Sequence, residues 1–425
     1  MMFGIASRAG RVSGWIAAAS FVASLGVAHA EDWPEFRGPT AQGVSSETGL
    51  PVEWGPDKNI RWKVQVPGLG WSSPVIVDGK VYLTSADPTP GGAEGDLDLI
   101  ALCFDAATGK QLWRTNVFKE EAATAPKIHG KNSHASPTPL VRDGKLYVHF
   151  GHMGTACLDL EGKVIWKKVV SYQPVHGNGG SPLLIDGKLI FAVDGAVDRC
   201  VIALDAASGE QVWRFDRQGD PQKHFAFCTP LAIDVKGKTQ IVSPGADYCS
   251  GLDPATGQEI WYVKYKGYSI VPRPVFAHGL LFFSTSYDSA KVICVKPDQE
   301  GDLTDTNIAW TMTRGAPYNP SMVVVGDELY MVSDGGIASC VDARTGDVHW
   351  QERLGNNYSS SLLAAEGRIY FQSEQGPAVV VAASKEFQKL AENDLGERCL
   401  SSYGAADKSL FIRTERHLYR VQNRD

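Results

Sequence analysis

The sequence lacks an excess of positive charge. Lys and Arg number 41 against 48 Asp and Glu, which gives a formal net charge of −7. A basic surface that binds nucleic acid is therefore not expected. The catalytic signatures G-x-S-x-G, the P-loop and H-E-x-x-H are also absent, so the sequence predicts none of the active sites that they mark. The cysteines include no C-x-x-C and no adjacent pair, which leaves no covalent haem site.

Glycine, proline and tryptophan are plentiful instead. The 425 residues include 44 Gly, 23 Pro and 11 Trp, with 43% hydrophobic and 21% charged residues. This is the balance of a globular protein. So many turn-forming residues favour short strands joined by tight turns over long helices.

Residues 1–30 have the pattern of a secretory signal peptide. Arg8 and Arg11 are the only charged residues there, an apolar run covers 15–27, and an A-x-A cleavage pattern follows at 28–30. We therefore expect export to the periplasm or the medium. No cysteine adjoins the predicted cleavage point, so no lipid anchor is expected, and no later segment is predicted to span a membrane.

Eight cysteines in an exported chain suggest disulfides at first. Cys103, Cys157 and Cys340, however, each stand two residues before an Asp that opens a turn. Equivalent positions in different repeats are far apart, so buried free thiols are predicted. A disulfide among Cys200, Cys228 and Cys249 remains an alternative.

One phrase recurs along the chain, D-A-A-T-G-K-Q-L-W at 105–113, with copies at 205–213, 253–261 and 342–350. Its Asp accepts backbone hydrogen bonds and its Gly supplies positive φ, so the phrase predicts a hairpin with a large aromatic residue on the second strand. The predicted structural residues are Gly109, Gly209, Gly257, Gly346, Trp62, Trp113, Trp166, Trp213, Trp261, Trp310 and Trp350.

A second phrase, Ser/Thr-Pro followed by an Asp-Gly turn, begins at Ser73, Thr138 and Ser181 and returns more loosely near Thr229, Arg273, Ser321 and Ser361. Asp-Gly between β-rich runs predicts another hairpin. Each unit then has four strands, and the tryptophans are spaced 40 to 53 residues apart, as in propeller blades.

We predict an all-β, eight-bladed β-propeller of four-stranded antiparallel blades. The last blade joins a strand near 60–64 to three C-terminal strands, which removes open edges. The chain is thus divided into a signal peptide (1–30), an N-terminal extension (31–58) and the propeller (59–425).

The D-A-x-T-G-x-x-x-W phrase resembles the repeat of pyrroloquinoline-quinone-type (PQQ-like) β-propellers, over about 60–422. These include quinoprotein alcohol dehydrogenases and the outer-membrane-assembly lipoprotein BamB. The opening W-P-E-F-R-G-P at 33–39 resembles a group of exported single-propeller proteins of unsettled function. The resemblance implies the fold more than an activity, because one fold hosts many functions.

Longer polar loops are predicted to gather on one face of the propeller, where loops carry function. Aromatic, basic and amide residues there suggest a funnel for a flat or sugar-like ligand. The predicted ligand-binding residues are Trp71, His134, His152, His176, Asn178, His224, Asp247, Tyr248, Arg273, Tyr287, Asn319, Asn357 and Tyr358.

A metal site is a further hypothesis for the same face, since histidines suit transition metals. The candidate ligands are His129, His134, His152, His176 and His224. Scattered loop histidines that form ordinary hydrogen bonds are the favoured interpretation. The acidic stretch 298–305 is predicted to be a solvated turn, not a calcium loop.

Two classes of function follow. The favoured one is a non-catalytic binding or scaffold module for a protein, peptide or glycan of the cell envelope, with no cofactor. The alternative is an enzyme, either a PQQ-dependent oxidoreductase with calcium or a polysaccharide-active enzyme on the loop face. The resemblance implies an Asp base for the former, and Asp247 and Asp334 lie in suitable loops. The oligomeric state is not predicted.

Overall fold

The computed structural model describes residues 1–4, 31–288 and 290–424. The predicted signal peptide falls largely outside them. Eight antiparallel blades form a closed ring, so the predicted all-β, eight-bladed propeller is confirmed. In the described residues no helix has the length and hydrophobicity that crossing a bilayer requires.

The strands follow the chain blade by blade. The extension carries β1 (Val44–Ser45), and β2 (Ile60–Gln65) is the outer strand of blade eight. Blades one to four are β3 (Val75–Val77), β4 (Lys80–Pro88), β5 (Leu97–Asp105) and β6 (Gln111–Glu120); β7 (Leu140–Arg142), β8 (Lys145–His149), β9 (Thr155–Asp159) and β10 (Val164–Lys168); β11 (Leu183–Ile185), β12 (Lys188–Asp194), β13 (Arg199–Asp205) and β14 (Gln211–Asp216); and β15 (Leu231–Val235), β16 (Lys238–Gly245), β17 (Tyr248–Leu252) and β18 (Glu259–Lys264). A 3-10 turn, Gly151–Met153, lies between β8 and β9.

The second half repeats the pattern. Blade five is β19 (Val275–Ala277), β20 (Leu280–Ser284), β21 (Val292–Val295) and β23 (Ile308–Met312), interrupted by β22 (Gly301–Asp302); blade six is β24 (Val323–Val325), β25 (Glu328–Val332), β26 (Ile337–Asp342) and β27 (Val348–Arg353); blade seven is β28 (Leu363–Ala365), β29 (Arg368–Gln372), β30 (Ala378–Ala382) and β31 (Lys389–Asn393); and blade eight adds β32 (Gly404–Ala406), β33 (Ser409–Arg413) and β34 (His417–Gln422). As predicted, β2 pairs with β34 and closes the ring.

Both predicted turns have the required backbone. Asp78 and Gly79 take φ of 49° and 69°, the signs that a type I′ hairpin turn needs. In the other phrase the Asp105 carboxylate accepts the backbone N–H of Thr108 at 2.8 Å, and Gly109 has a φ of 74°. The middle strands are buried along most of their length, because a neighbouring blade covers each face.

The tryptophans connect successive blades. The indole N–H of Trp62 donates to Ala106 O of the next blade at 3.0 Å, and that of Trp213 to Pro254 O at 3.1 Å. The Trp213 ring also packs on Gly257, where an added Cβ would come within 2.6 Å of it. Six of the seven repeat tryptophans bond in this way to the turn of the following blade.

Trp261 departs from this arrangement. Its indole donates to Gln240 Oε1 in its own blade at 2.7 Å, and the ring is fully buried. The reason is β22, which pairs in parallel with β18 as a fifth strand. The acidic stretch 298–305 was predicted to be only a solvated turn; its residues Gly301 and Asp302 are exposed but also extend blade four.

All eight cysteines are buried and free, as the repeat positions predicted. The alternative disulfide among Cys200, Cys228 and Cys249 does not form. Burial raises the pKa of the Cys200 thiol to about 12, so this side chain acts as a small neutral group in the core.

Candidate functional site

In most blades a Ser or Thr begins the Ser/Thr-Pro phrase identified in the sequence. Together these residues form a ring around one end of the central channel of the propeller. The backbone N–H of Ser73 donates to Thr138 Oγ1, that of Thr138 to Ser181 Oγ, and that of Ser181 to Thr229 Oγ1, each at 2.9 Å. The chain of bonds resumes through Ser321, Ser361 and Ser402 and returns to Ser73 at 3.1 Å. One hydroxyl per blade thus bridges to the preceding blade, and we call these seven residues the hydroxyl ring.

The hydroxyl ring is interrupted in blade five, because Arg273 stands there at the position of the Ser or Thr. Its backbone N–H still donates to Ser321 Oγ at 2.9 Å, but its guanidinium turns beneath the ring. There it donates to Pro230 O at 3.1 Å and to Phe36 O at 2.7 Å. Arg273 was predicted to bind ligand directly; it is fully buried and holds the N-terminal extension in place.

That extension crosses the channel. Trp33 exchanges two backbone hydrogen bonds with Ile76 of blade one, at 2.7 and 2.9 Å. Further along, β1 pairs in parallel with β28 of blade seven. Glu35 lies between, 3.4 Å from Arg273 and 3.3 Å from Arg142. The extension therefore closes the channel below the hydroxyl ring.

Above this plug lies a cavity of about 440 Å³. Its lining combines hydroxyl groups, aromatic rings and the side chain of Phe36 as the floor. Among the described residues, the lining includes Phe36, Trp71, His129, Lys131, His176, Phe225, Phe227, Tyr268, Val271, Tyr287, Asn319, Ser359, Leu400 and the seven of the hydroxyl ring. A concave, partly apolar site with a few polar groups is the form that ligand pockets take.

Aromatic rings form a continuous arc on one side of the mouth. Ring centroids are 5.3 Å apart for His176 and Phe225, 5.5 Å for Phe225 and Tyr268, and 6.3 Å for Tyr268 and Tyr287. Tyr287 then lies 5.1 Å from Tyr318. The arc runs from blade three to blade six and offers a wall for apolar or aromatic groups.

The loop 121–136 reaches over the opposite side of the mouth. Lys131 at its tip donates to Glu374 Oε1 of blade seven at 2.7 Å and lies 3.9 Å from Asp334 Oδ1. Arg398 donates to Gly130 O at 3.1 Å and stacks 5.4 Å from the Trp71 ring. We call this loop the cap loop, since ion pairs hold its tip across the cavity.

The base of the cap loop is held by a buried carboxylate. Glu120 contacts His134 Nδ1, and its other oxygen lies 3.4 Å from His152 Nε2. Burial alone would raise the pKa of Glu120, but its contacts with the two histidines lower it to about 2. The carboxylate therefore stays charged and anchors both loops.

The structure brings together part of the predicted site. Trp71, His176, Tyr287 and Asn319 line the cavity. Among the described residues, the other predicted ones lie outside this lining: His134, His152, Asn178, His224, Asp247, Tyr248, Arg273, Asn357 and Tyr358. Tyr358 is fully buried, and His224 Nδ1 pairs with Ala196 O at 3.0 Å.

The sequence reasoning missed Lys131, Phe36 and the hydroxyl ring. The Ser/Thr-Pro phrase was the available signal for the ring, but it was interpreted only as the start of a hairpin. Lys131 and Phe36 belong to no repeat, so periodicity gave no signal for either.

The predicted metal ligands do not converge. The described residues contain no group of three or more His, Cys, Asp or Glu placed to hold a metal ion. His129 and His176 meet edge to face, with centroids 5.7 Å apart, whereas His134 and His152 flank Glu120. Four of the five histidines are thus divided between two places, and His224 pairs separately with Ala196 O.

A PQQ–calcium pair does not fit the donor groups of the cavity. Calcium takes six to eight oxygen ligands, usually including carboxylates, and the described lining contains no Asp or Glu. Asp334 accepts the backbone N–H groups of Tyr318 and Asn319 at 2.7 and 3.1 Å. Asp247 accepts Gly267 N–H at 2.8 Å. Both candidate bases are engaged in holding loops, so we derive no catalytic step through this cofactor.

A model of a known protein family matches most of the chain. The family model described as outer membrane protein assembly factor BamB matches residues 43–174, 98–308 and 301–394. The PQQ-like repeat inferred from the D-A-x-T-G-x-x-x-W phrase is thereby confirmed.

Relatives with assigned names fall into two groups. The outer membrane protein assembly factor BamB of Burkholderia pseudomallei is 29% identical over 286 residues, which cover 66% of this chain and 64% of that protein. Methanol dehydrogenase [cytochrome c] subunit 1 of Methylobacterium organophilum is 29% identical over 177 residues, which cover 36% of this chain and 27% of that protein. The chain spans less than two thirds of the length of either relative.

Solved structures show the same division. BamB from Moraxella catarrhalis superposes with a TM-score of 0.62 at 14% identity, covering 85% of this chain and 97% of that one. A europium-containing methanol dehydrogenase gives a TM-score of 0.61 at 12% identity, covering 90% and 89%. At these identities the likeness concerns the fold alone.

Proposed function

Because the chain belongs to the family of the outer membrane protein assembly factor BamB, we propose that it is an exported, non-catalytic propeller that binds a polypeptide of the cell envelope. The binding site is the cavity above the hydroxyl ring. Both groups of relatives are compatible with the fold, so the chemistry of the cavity has to distinguish binding from catalysis.

The main support for this proposal is the closed floor of the cavity. The N-terminal extension fills the channel beneath the cavity, and Arg273 and Glu35 hold it there. Floor hydroxyls already serve as acceptors for neighbouring blades, and the described lining offers no carboxylate for acid–base work. Such a site can hold a ligand, and its described lining supplies no carboxylate for transforming one.

The quinoprotein alternative rests on the methanol dehydrogenase relative. It requires a cation site that the described lining does not supply. Most glycoside hydrolases use a pair of carboxyl groups at the cleaved bond, and the described lining contains none. We therefore place the binding function first.

Photocrosslinking tests the proposal directly. A photoreactive phenylalanine analogue replaces Tyr287, which lines the cavity and is 43% exposed. The matched control places the same analogue at Asp186, in an Asp-Gly hairpin turn of blade three. We expect envelope polypeptides to attach at position 287 and not at 186. Equal labelling at both positions, or dye reduction by an alcohol when PQQ and calcium are supplied, would contradict the proposal.

A further inference from the structure

The charge of the cavity is unlike that of the chain. The protein has 48 Asp and Glu, yet the described lining includes none, and its one charged side chain outside the histidines is Lys131. Two carboxylates at the rim, Glu374 and Asp334, are bound by Lys131, Ser359 and Asn319. The interior is thus kept free of negative charge.

The floor presents hydrogen-bond donors. Each oxygen of the hydroxyl ring already accepts a backbone N–H from the blade before it. Ser361 also donates, to Ser321 Oγ at 2.9 Å. The protons of the other six, among them Ser73, Thr138 and Ser181, have no acceptor within the described residues. A hydroxyl proton can rotate toward a ligand, so the floor suits acceptor groups.

Positive charge lies directly beneath the floor. Arg273 is fully buried and Arg37 is 2% exposed. Glu35 pairs with Arg273 and Arg142, and Arg37 has only the carbonyls of Gln42 and Met322 as partners among the described residues. Its Nε and Nη1 atoms are buried without a partner.

Arg37 also remains charged at neutral pH. Burial, together with the charge of Arg273, lowers the pKa of its guanidinium to about 9. A buried cation with no counter-ion is costly, and an anion above it reduces that cost.

The shape and polarity of the cavity suit the end of a polymeric ligand better than its middle. The cavity is closed below by Phe36, so a ligand that enters it has to stop there. The walls are apolar, with Phe225, Phe227, Val271 and Leu400, whereas polar donors are concentrated at the floor. A sugar polymer carries hydroxyls along its whole length, but an apolar peptide carries its charge at its end.

Resting on the proposed function, we propose that the cavity captures the free carboxyl terminus of the partner polypeptide. The carboxylate accepts hydrogen bonds from the hydroxyl ring, above Arg37 and Arg273, and the apolar side chains of the last residues pack on the aromatic arc. Capture of a terminal carboxylate by convergent donors is a known mode of peptide recognition.

The test uses one peptide array in two chemical forms. Random octapeptides are attached through their amino ends, either with free carboxyl termini or as C-terminal amides. Binding of the purified protein is measured on both arrays, and selected pairs are measured in solution by fluorescence polarisation. We expect the free acids to bind about ten to about a hundred times more tightly than their amides, since a hydrogen bond to a charged group contributes about 1.5–3 kcal/mol.

Substitutions in the cavity test which residues are responsible for the preference for free acids over amides. Val271→Trp narrows the cavity and should abolish binding of both forms. Thr229→Val removes one ring hydroxyl and should reduce the preference for acid over amide, whereas Thr229→Ser should preserve it. A merely structural role of Thr229 would change both affinities equally. If Thr229→Val fails to fold, Ser402→Ala takes its place.

The results of the binding measurements distinguish between the possible ligands of the cavity. Equal binding of acids and amides would overturn the carboxylate inference and leave peptide binding intact. Binding of neither form would overturn both. Tighter binding of oligogalacturonate than of any peptide would assign the cavity to an acidic glycan, and tighter binding of PQQ with calcium would assign it to the cofactor. Either of these results would refute the inference.

Discussion

The contact between Trp213 and Gly257 gives the sharpest stability prediction. Gly257 has a φ of 73°, and an added Cβ would lie 2.6 Å from the Trp213 ring. Gly257→Ala should therefore cost two separable amounts of folding free energy. The left-handed backbone costs about 1–2 kcal/mol, and the clash costs about 1–3 kcal/mol more.

The chain supplies a matched control for the backbone cost. Gly279 has the same φ of 73°, and nothing lies within 4 Å of its added Cβ. Gly279→Ala should therefore lose only about 1–2 kcal/mol. Trp213→Ala should lose about 3–5 kcal/mol, as for other buried aromatic residues.

A double-variant cycle isolates the contact. With Trp213 removed, Gly257→Ala should cost no more than Gly279→Ala, so the double variant should be about 1–3 kcal/mol more stable than the sum of the single effects. The assay is equilibrium urea unfolding followed by far-UV circular dichroism, which needs no tryptophan signal. If the two substitutions are additive within about 0.5 kcal/mol, the ring does not rest on the glycine and the account of blade joining is wrong.

Three further predictions concern other parts of the molecule. The pKa of Glu120 is lowered to about 2 from its ordinary value of 4.5, so its contribution to stability is present above pH 4.5 and is lost as the pH falls toward 2. When thermal stability is titrated with acid, the Glu120→Gln variant should therefore lose less stability than the unsubstituted protein. Equal losses would contradict the ion pair. Lys131→Met removes the ion pairs that hold the cap loop, so amide exchange over 121–132 should accelerate while β7 stays protected; unchanged exchange would show that the loop is held by other contacts. The eight buried thiols should react with a thiol reagent only after unfolding, giving eight equivalents per chain, and any shortfall in denaturant would indicate a disulfide.

The fold was predictable because its signals are local. The turn phrases fix hairpins, and their spacing fixes the number of blades. Contacts between blades were not predictable in the same way. The Trp213 phrase contains no sign that its ring rests on Gly257, because the partner belongs to the next repeat, 44 residues away.

The site was predicted only in outline, for the same reason. Loop length and residue type selected Trp71, His176, Tyr287 and Asn319, which line the cavity together. The hydroxyl ring exists only when the circle is closed, so no single repeat reveals it. Arg273 was included as a looser copy of the Ser/Thr-Pro phrase, but the direction of its side chain depends on Glu35 and Phe36, which belong to no repeat.

A crystal structure of the protein with an octapeptide from the free-acid array would show where the carboxyl terminus of a bound peptide lies. We expect electron density for the terminal carboxylate within hydrogen-bond distance of the hydroxyl ring, with the last side chains against Phe225 and Tyr268. A peptide bound along the outer edge of a blade, or at the opposite end of the channel, would contradict this expectation.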